Sequence, residues 1–106
     1  MDTVDLPSVL VFEWDKGNEL KSYLKHSITT IEAEEPFFSK DRIFLNDKRH
    51  SLSWEIRTIL IGKTKVGKVL FIVFTIRGTK IRIISARKAD RKEVQFYEKA
   101  TKTAKV

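Results

Sequence analysis

The side chains best suited to chemistry gather in the last thirty positions of the chain. There Arg77, Lys80, Arg82, Arg87, Lys88, Arg91, Lys92, Lys99, Lys102 and Lys105 face only Asp90, Glu93 and Glu98. Residues 1–76 balance 11 Lys/Arg against 11 Asp/Glu, so this segment holds the whole formal charge of +7. A positive field concentrated in one segment favours a polyanion, because each neutralised phosphate also releases condensed counterions. Lys25, His26 and Tyr97 add proton carriers and a stacking ring. Together these residue types meet the needs of RNA cleavage without a metal. A base takes the proton from the ribose 2′-hydroxyl, fixed cations hold the charge developing on the phosphoryl oxygens, and an acid protonates the leaving 5′-oxygen. Arginine suits the second task through its planar fork, and histidine suits the first or third because it titrates near neutrality. The same composition also suits a non-catalytic basic face, and composition alone does not choose.

Other chemistries find no footing. With no cysteine there is no disulfide, thiolate metal cage or thiol nucleophile. GxxxxGK[ST], GxGxxG and His-x-x-x-His are absent, His26 and His50 stand apart, and the carboxylates are scattered rather than paired. Neither a metal nor a cofactor is expected. The longest apolar run, Val69 to Ile76, is interrupted by Thr75 and too short for a bilayer. Asp2 and Asp5 at the start do not resemble a secretory signal, and a cytoplasmic address with no membrane partner is expected.

These residues need a scaffold, and 106 residues suffice for one domain with one core, expected over about residues 10–98 with flexible ends at 1–8 and 101–106. Val9–Phe12 reads as a first strand. Asp15 suits the cap of a helix from about Lys16 to Lys25, with Leu20 and Leu24 one turn apart. Thr29 or Thr30 suits the cap of a second helix, Ile31 to Glu35, limited by Pro36. Phe37 and Phe38 are then expected in the core with Phe71, Ile72 and Phe74. Strands are expected over 42–46, 55–61 (ending at Gly62), 69–76 and 80–85. The third of these is apolar on both faces, hence central. Arg77-Gly78 marks a hairpin, and Asp90 with Glu93 has the spacing of reciprocal caps for a last helix to about Ala100. The fold class is α+β: an antiparallel sheet of four to five strands, two N-terminal helices and one C-terminal helix.

Lys80-Ile81-Arg82-Ile83-Ile84-Ser85-Ala86-Arg87-Lys88-Ala89, with Phe12-Glu13-Trp14-Asp15 and Lys25-His26, closely resembles BrnT-type toxins of bacterial toxin–antitoxin systems. Phe37-Phe38, Asp47-Lys48-Arg49-His50-Ser51, Glu55-Ile56-Arg57, Thr75-Ile76-Arg77-Gly78, Glu93 and Tyr97 continue the likeness in order, over roughly residues 10–98. The resemblance implies a RelE-like ribonuclease fold and RNA cleavage that arrests translation, on free or ribosome-associated RNA. It also implies a BrnA-like ribbon-helix-helix antitoxin that silences the toxin and carries the complex to operator DNA. The chain departs from the family pattern at Ser22, Ser27 and Pro36, and at Leu52-Ser53-Trp54, which stands where an acidic loop is usual.

The expected catalytic group is Arg82, Arg87, Lys88, His26 and Tyr97, with Lys25, Arg77, Lys80 and Arg91 holding RNA. Each has a plainer reading. Arg82 can form a cross-strand ion pair with Glu55. Arg87 and Lys88 lie near the free amides of the last helix, a natural anion site, or are simply solvated. Lys25 and His26 can be a charged helix end, Tyr97 a ring packed on the sheet, and Arg77 an exposed turn residue. A non-catalytic module, or a decayed toxin serving as corepressor, is the alternative function.

Overall fold

The computed structural model describes residues 6–15, 17, 21, 23 and 25–104. Five strands, β1 (Val11–Glu13), β2 (Ile43–Asn46), β3 (Thr58–Lys63), β4 (Val69–Arg77) and β5 (Lys80–Lys88), form one sheet in the order β1-β5-β4-β3-β2. Helix α1 (Thr30–Glu34) runs into a 3-10 turn over Glu35–Phe38, and α2 (Arg91–Ala104) is the last element among the described residues. The α+β architecture is as the patterning indicates, with β4 at the centre of the sheet.

The sheet is not wholly antiparallel. β1 pairs with β5 in parallel, Val11 opposite Lys80 and Glu13 opposite Arg82, because the chain crosses the whole sheet between them. Of the helix expected over 16–25, Gly17, Lys21, Tyr23, Lys25 and His26 are helical, while Lys16, Leu20 and Leu24 lie outside the described residues.

Local signals explain most of the remaining boundaries. Thr29 caps α1 reciprocally with Glu32: the threonine hydroxyl accepts from the Glu32 amide at 3.1 Å and the Thr29 amide donates back at 3.2 Å. Pro36 ends the α-helical hydrogen bonding but suits the start of the 3-10 turn, so the chain tightens there. Gly62 does not end β3. It lies inside the strand because Pro36 packs over it, and a Cβ there would sit 3.1 Å from the proline ring. Glu55–Arg57, expected in this strand, instead belongs to a loop pinned by a bridge between Leu52 and Glu55.

The sheet buries apolar residues on both sides. On the N-terminal face Leu60, Leu70, Ile72, Phe74, Ile81, Ile83 and Ala86 pack with Ile28, Ala33 and Phe37. On the α2 face Ile43, Ile61 and Tyr97 form a smaller cluster, flanked by Ile59, Val69 and Phe71. Phe37 and Phe74 are buried as expected, but Phe38 is 64% exposed. The 3-10 turn aims successive side chains in different directions, so only one of the two phenylalanines enters the core. Phe71 is partly buried on the margin of the smaller cluster.

A bulge in β5 decides where the cations point. Val73 pairs with Ser85 but Phe74 with Ile83, leaving Ile84 as an extra residue. In a regular strand Arg82 and Arg87, five apart, would face opposite ways. With the bulge, Ile81, Ile83 and Ala86 all reach the N-terminal face, and Arg82 and Arg87 both emerge on the α2 face.

Candidate functional site

Four of the nine expected site residues share that face. Arg77 and Lys80 form one cross-strand pair, Thr75 and Arg82 the next, and Arg87 lies beyond the bulge opposite Phe71. From Lys80 to Arg87 the row covers six ladder steps, roughly 20 Å at the rise of an extended strand. Helix α2 rests on β2 and β3, away from most of this row.

Each cation in the row meets a carboxylate. Arg82 donates through Nη2 to Asp15 at 2.6 Å. The expected partner, Glu55, instead accepts from Arg57 Nε at 3.0 Å and lies 3.7 Å from Arg77. Parallel β1 is the cause: it sets Glu13 beside Arg82 and carries Asp15 just past it, while Glu55 leaves the ladder before β3 begins. Lys80 Nζ stands 3.9 Å from Glu13.

Arg87 is held most firmly. Its guanidinium lies 4.1 Å over the Phe71 ring and binds Glu93 with both Nη atoms, at 2.8 and 2.9 Å. The arginine holds the Glu93 carboxyl below the usual carboxylate range, and Glu93 in turn pushes the Arg87 guanidinium further up. Glu93 also accepts from the Asp90 amide, while Asp90 accepts from the Glu93 amide, each at 2.8 Å. One carboxylate therefore fixes the arginine, the helix start and the strand-to-helix junction. The first-turn amide of Glu93, expected as part of an anion site, is already occupied by Asp90.

The other expected residues are dispersed. Lys88 is exposed and pairs with Leu70, whose side chain belongs to the opposite core, so it turns away from Arg87. It lines a shallow hollow of about 240 Å³ with Lys68, Val69, Ala89 and Val94. Tyr97 is 2% exposed. Burial, then the charge of Asp41, raises its hydroxyl pKa, partly offset by a hydrogen bond with Ser39. This position is a packed ring facing the β2 side. Lys25 is exposed and His26 half-buried, and among the described residues no hydrogen bond or ion pair joins either to Arg82 or Arg87. Arg91 is exposed at the first position of α2.

Three contributors escape a sequence reading. Asp15 and Glu93 are the counter-charges of the two arginines, and Phe71 is the platform under one of them. The Asp90/Glu93 spacing signals the cap but not the clamp. The Arg82–Asp15 pair joins residues 67 apart and has no local signature. Within Phe12-Glu13-Trp14-Asp15, Phe12 enters the core, Trp14 donates to Glu34 at 2.9 Å, and the acids turn toward the cations.

The family described as "Ribonuclease toxin, BrnT, of type II toxin-antitoxin system" matches residues 14–93. The crystal structure of the Brucella abortus ribonuclease toxin BrnT superposes with a TM-score of 0.61 at 20% identity, covering 79% of this chain and all of that one. No curated protein matches the sequence.

Proposed function

From the premise that the chain belongs to the BrnT family of ribonuclease toxins of type II toxin–antitoxin systems, we propose that it cleaves RNA on the α2 face of β4 and β5 without a metal or cofactor. The supporting observation is the row of Arg77, Lys80, Arg82 and Arg87 on one face, aligned by the bulge in β5. In this reading the RNA backbone lies along β5, and Arg77 and Lys80 hold flanking phosphates with help from Lys25 and Arg91. Arg82 and Arg87 stabilise the reacting phosphoryl group. The 2′-oxygen loses its proton to a base and attacks phosphorus. The P–O5′ bond breaks, the 5′-oxygen takes a proton, and a 2′,3′-cyclic phosphate remains. His26 is assigned to proton transfer. Tyr97 holds α2 on the sheet, and Lys88 adds charge from the strand end.

Phosphate displaces Asp15 from Arg82, or binds the guanidinium N–H groups that this bond leaves available. The fork has five donors, and the bond to Asp15 uses Nη2. The reading includes the RelE-like fold, one toxin domain, a cytoplasmic site of action, arrest of translation, and neutralisation by a BrnA-like ribbon-helix-helix antitoxin. Purified protein is expected to cut RNA in the presence of a chelator. Intact free and ribosome-bound RNA after incubation would overturn the enzymatic reading. The ion pairs at Arg82 and Arg87 favour one competitor, a decayed toxin acting as corepressor. That competitor predicts antitoxin binding with no RNA cut in the same assay.

A further inference from the structure

The loop between β2 and β3 carries an exposed tryptophan that the proposed cleavage step does not use. Trp54 is 80% exposed, flanked by Leu52 and Ile56 at 45% and 59%. An indole so open in a well-bonded loop calls for an occupant. Leu52 and Glu55 exchange amide hydrogen bonds at 2.8 and 3.1 Å, which closes Ser53-Trp54 into a two-residue turn. The Ser51 hydroxyl donates to the Asp47 carbonyl at 2.7 Å and accepts from the Arg57 amide at 2.9 Å, bracing the base of the loop.

Two contacts join this loop to the cationic row. Thr75 donates its hydroxyl to the Ile56 carbonyl at 2.8 Å, and Thr75 is the cross-strand neighbour of Arg82. Glu55, next to Trp54, meets both Arg57 and Arg77. Lys48 and Arg49 are exposed on the same loop. The loop that carries the ring therefore reaches the Arg77 end of the row and brings Lys48, Arg49 and Arg57 with it.

We propose that Trp54 stacks on a nucleobase of single-stranded RNA that runs off the Arg82–Lys80–Arg77 row, fixing where the strand sits. The inference rests on the RNA-cleaving reading above. Cations held on a braced loop match the backbone, and the indole face matches the unstacked base, the combination that single-strand binders use. An apolar protein partner would fit Leu52, Trp54 and Ile56 but would bring Lys48 and Arg49 into a dry contact, which is costly without acidic mates.

The test is binding of a short 2′-O-methyl oligonucleotide, whose capped oxygen cannot attack. For wild type, tryptophan fluorescence is expected to fall on binding. Trp54→Ala is expected to bind about tenfold or more weaker with the salt slope unchanged, and Trp54→Phe to keep most of the affinity. Arg77→Ala is expected to lower the slope instead. Wild-type affinity in Trp54→Ala, or binding by wild type without quenching, overturns the stacking role and leaves the RNA reading standing. Loss of slope in Trp54→Ala would make the ring a mere prop for the cations, which also overturns it. Self-association of the chain that Trp54→Ala abolishes, with RNA binding unchanged, assigns the patch to protein contact instead. No binding by wild type defeats the RNA reading itself.

Discussion

On the N-terminal face Phe37 meets Phe12 and Phe74 edge-on at 5.1 and 5.0 Å, Phe44 meets Phe74 at 6.0 Å, and α1 with its 3-10 turn closes over them. On the α2 face the helix covers β2 and β3, and the β4–β5 half is finished with ion pairs. The same strands thus support one side that is sealed by shape and another that is held by charge. Apolar packing leaves nothing to exchange, whereas a carboxylate on an arginine can yield to a phosphate of similar geometry. Stability belongs mainly to the first face and binding to the second.

The largest expected effect breaks the sealed side. Phe74 is fully buried between Phe37 and Phe44, and Phe74→Ala should cost about 3–5 kcal/mol in urea unfolding. A cost below about 1 kcal/mol would mean that this face is not the main core. Next, Arg82→Ala should lower RNA cleavage by roughly 100-fold or more while changing stability by less than about 1 kcal/mol, since its ion pair is partly exposed. Unchanged cleavage with the fold intact removes Arg82 from the site.

Gly62→Ala sharpens the contrast from the packing side. The new methyl would press on Pro36 and Leu60, and a loss of about 1–3 kcal/mol is expected, with cleavage by the folded fraction unchanged. The smallest effect is at Glu93. Its folded pKa lies below the ordinary 4.5, so the clamp's contribution is complete above that value and disappears as pH falls through the lowered one. Glu93→Gln should cost about 1 kcal/mol at pH 7, and the gap from wild type should close below pH 4.5. A gap that stays constant with pH would show that the clamp is not ionic.

What the sequence reveals follows the range of the interaction. The cap at Thr29, one of two threonines the sequence offers, the reciprocal cap at Asp90, the hairpin at Gly78 and the central, doubly apolar β4 are all determined within a few residues, and the structure has each of them. β1 is different: three residues cannot declare whether they pair in parallel or antiparallel, or with which partner. Gly62 reads as a strand end because its reason for being glycine, Pro36, lies 26 positions earlier. Phe37 and Phe38 look alike as letters, and only the 3-10 geometry separates them. The candidate site is legible as a set of cations, but their partners are not. Asp15 reaches Arg82 through a parallel pairing, and Lys88 is turned aside by the same irregularity that aligns Arg87.

That irregularity sets a counting rule for β5. Ile84 acts as a phase shift, so five steps of sequence from Arg82 to Arg87 count as four steps of ladder. Deleting it would leave the two arginines four apart and still on one face, whereas drawing it into the ladder would send Arg87, with the glutamate that grips it and the helix that follows, to the wrong side of the sheet. Every letter of the basic motif would survive that flattening of the strand, and its row of charges would lose Arg87.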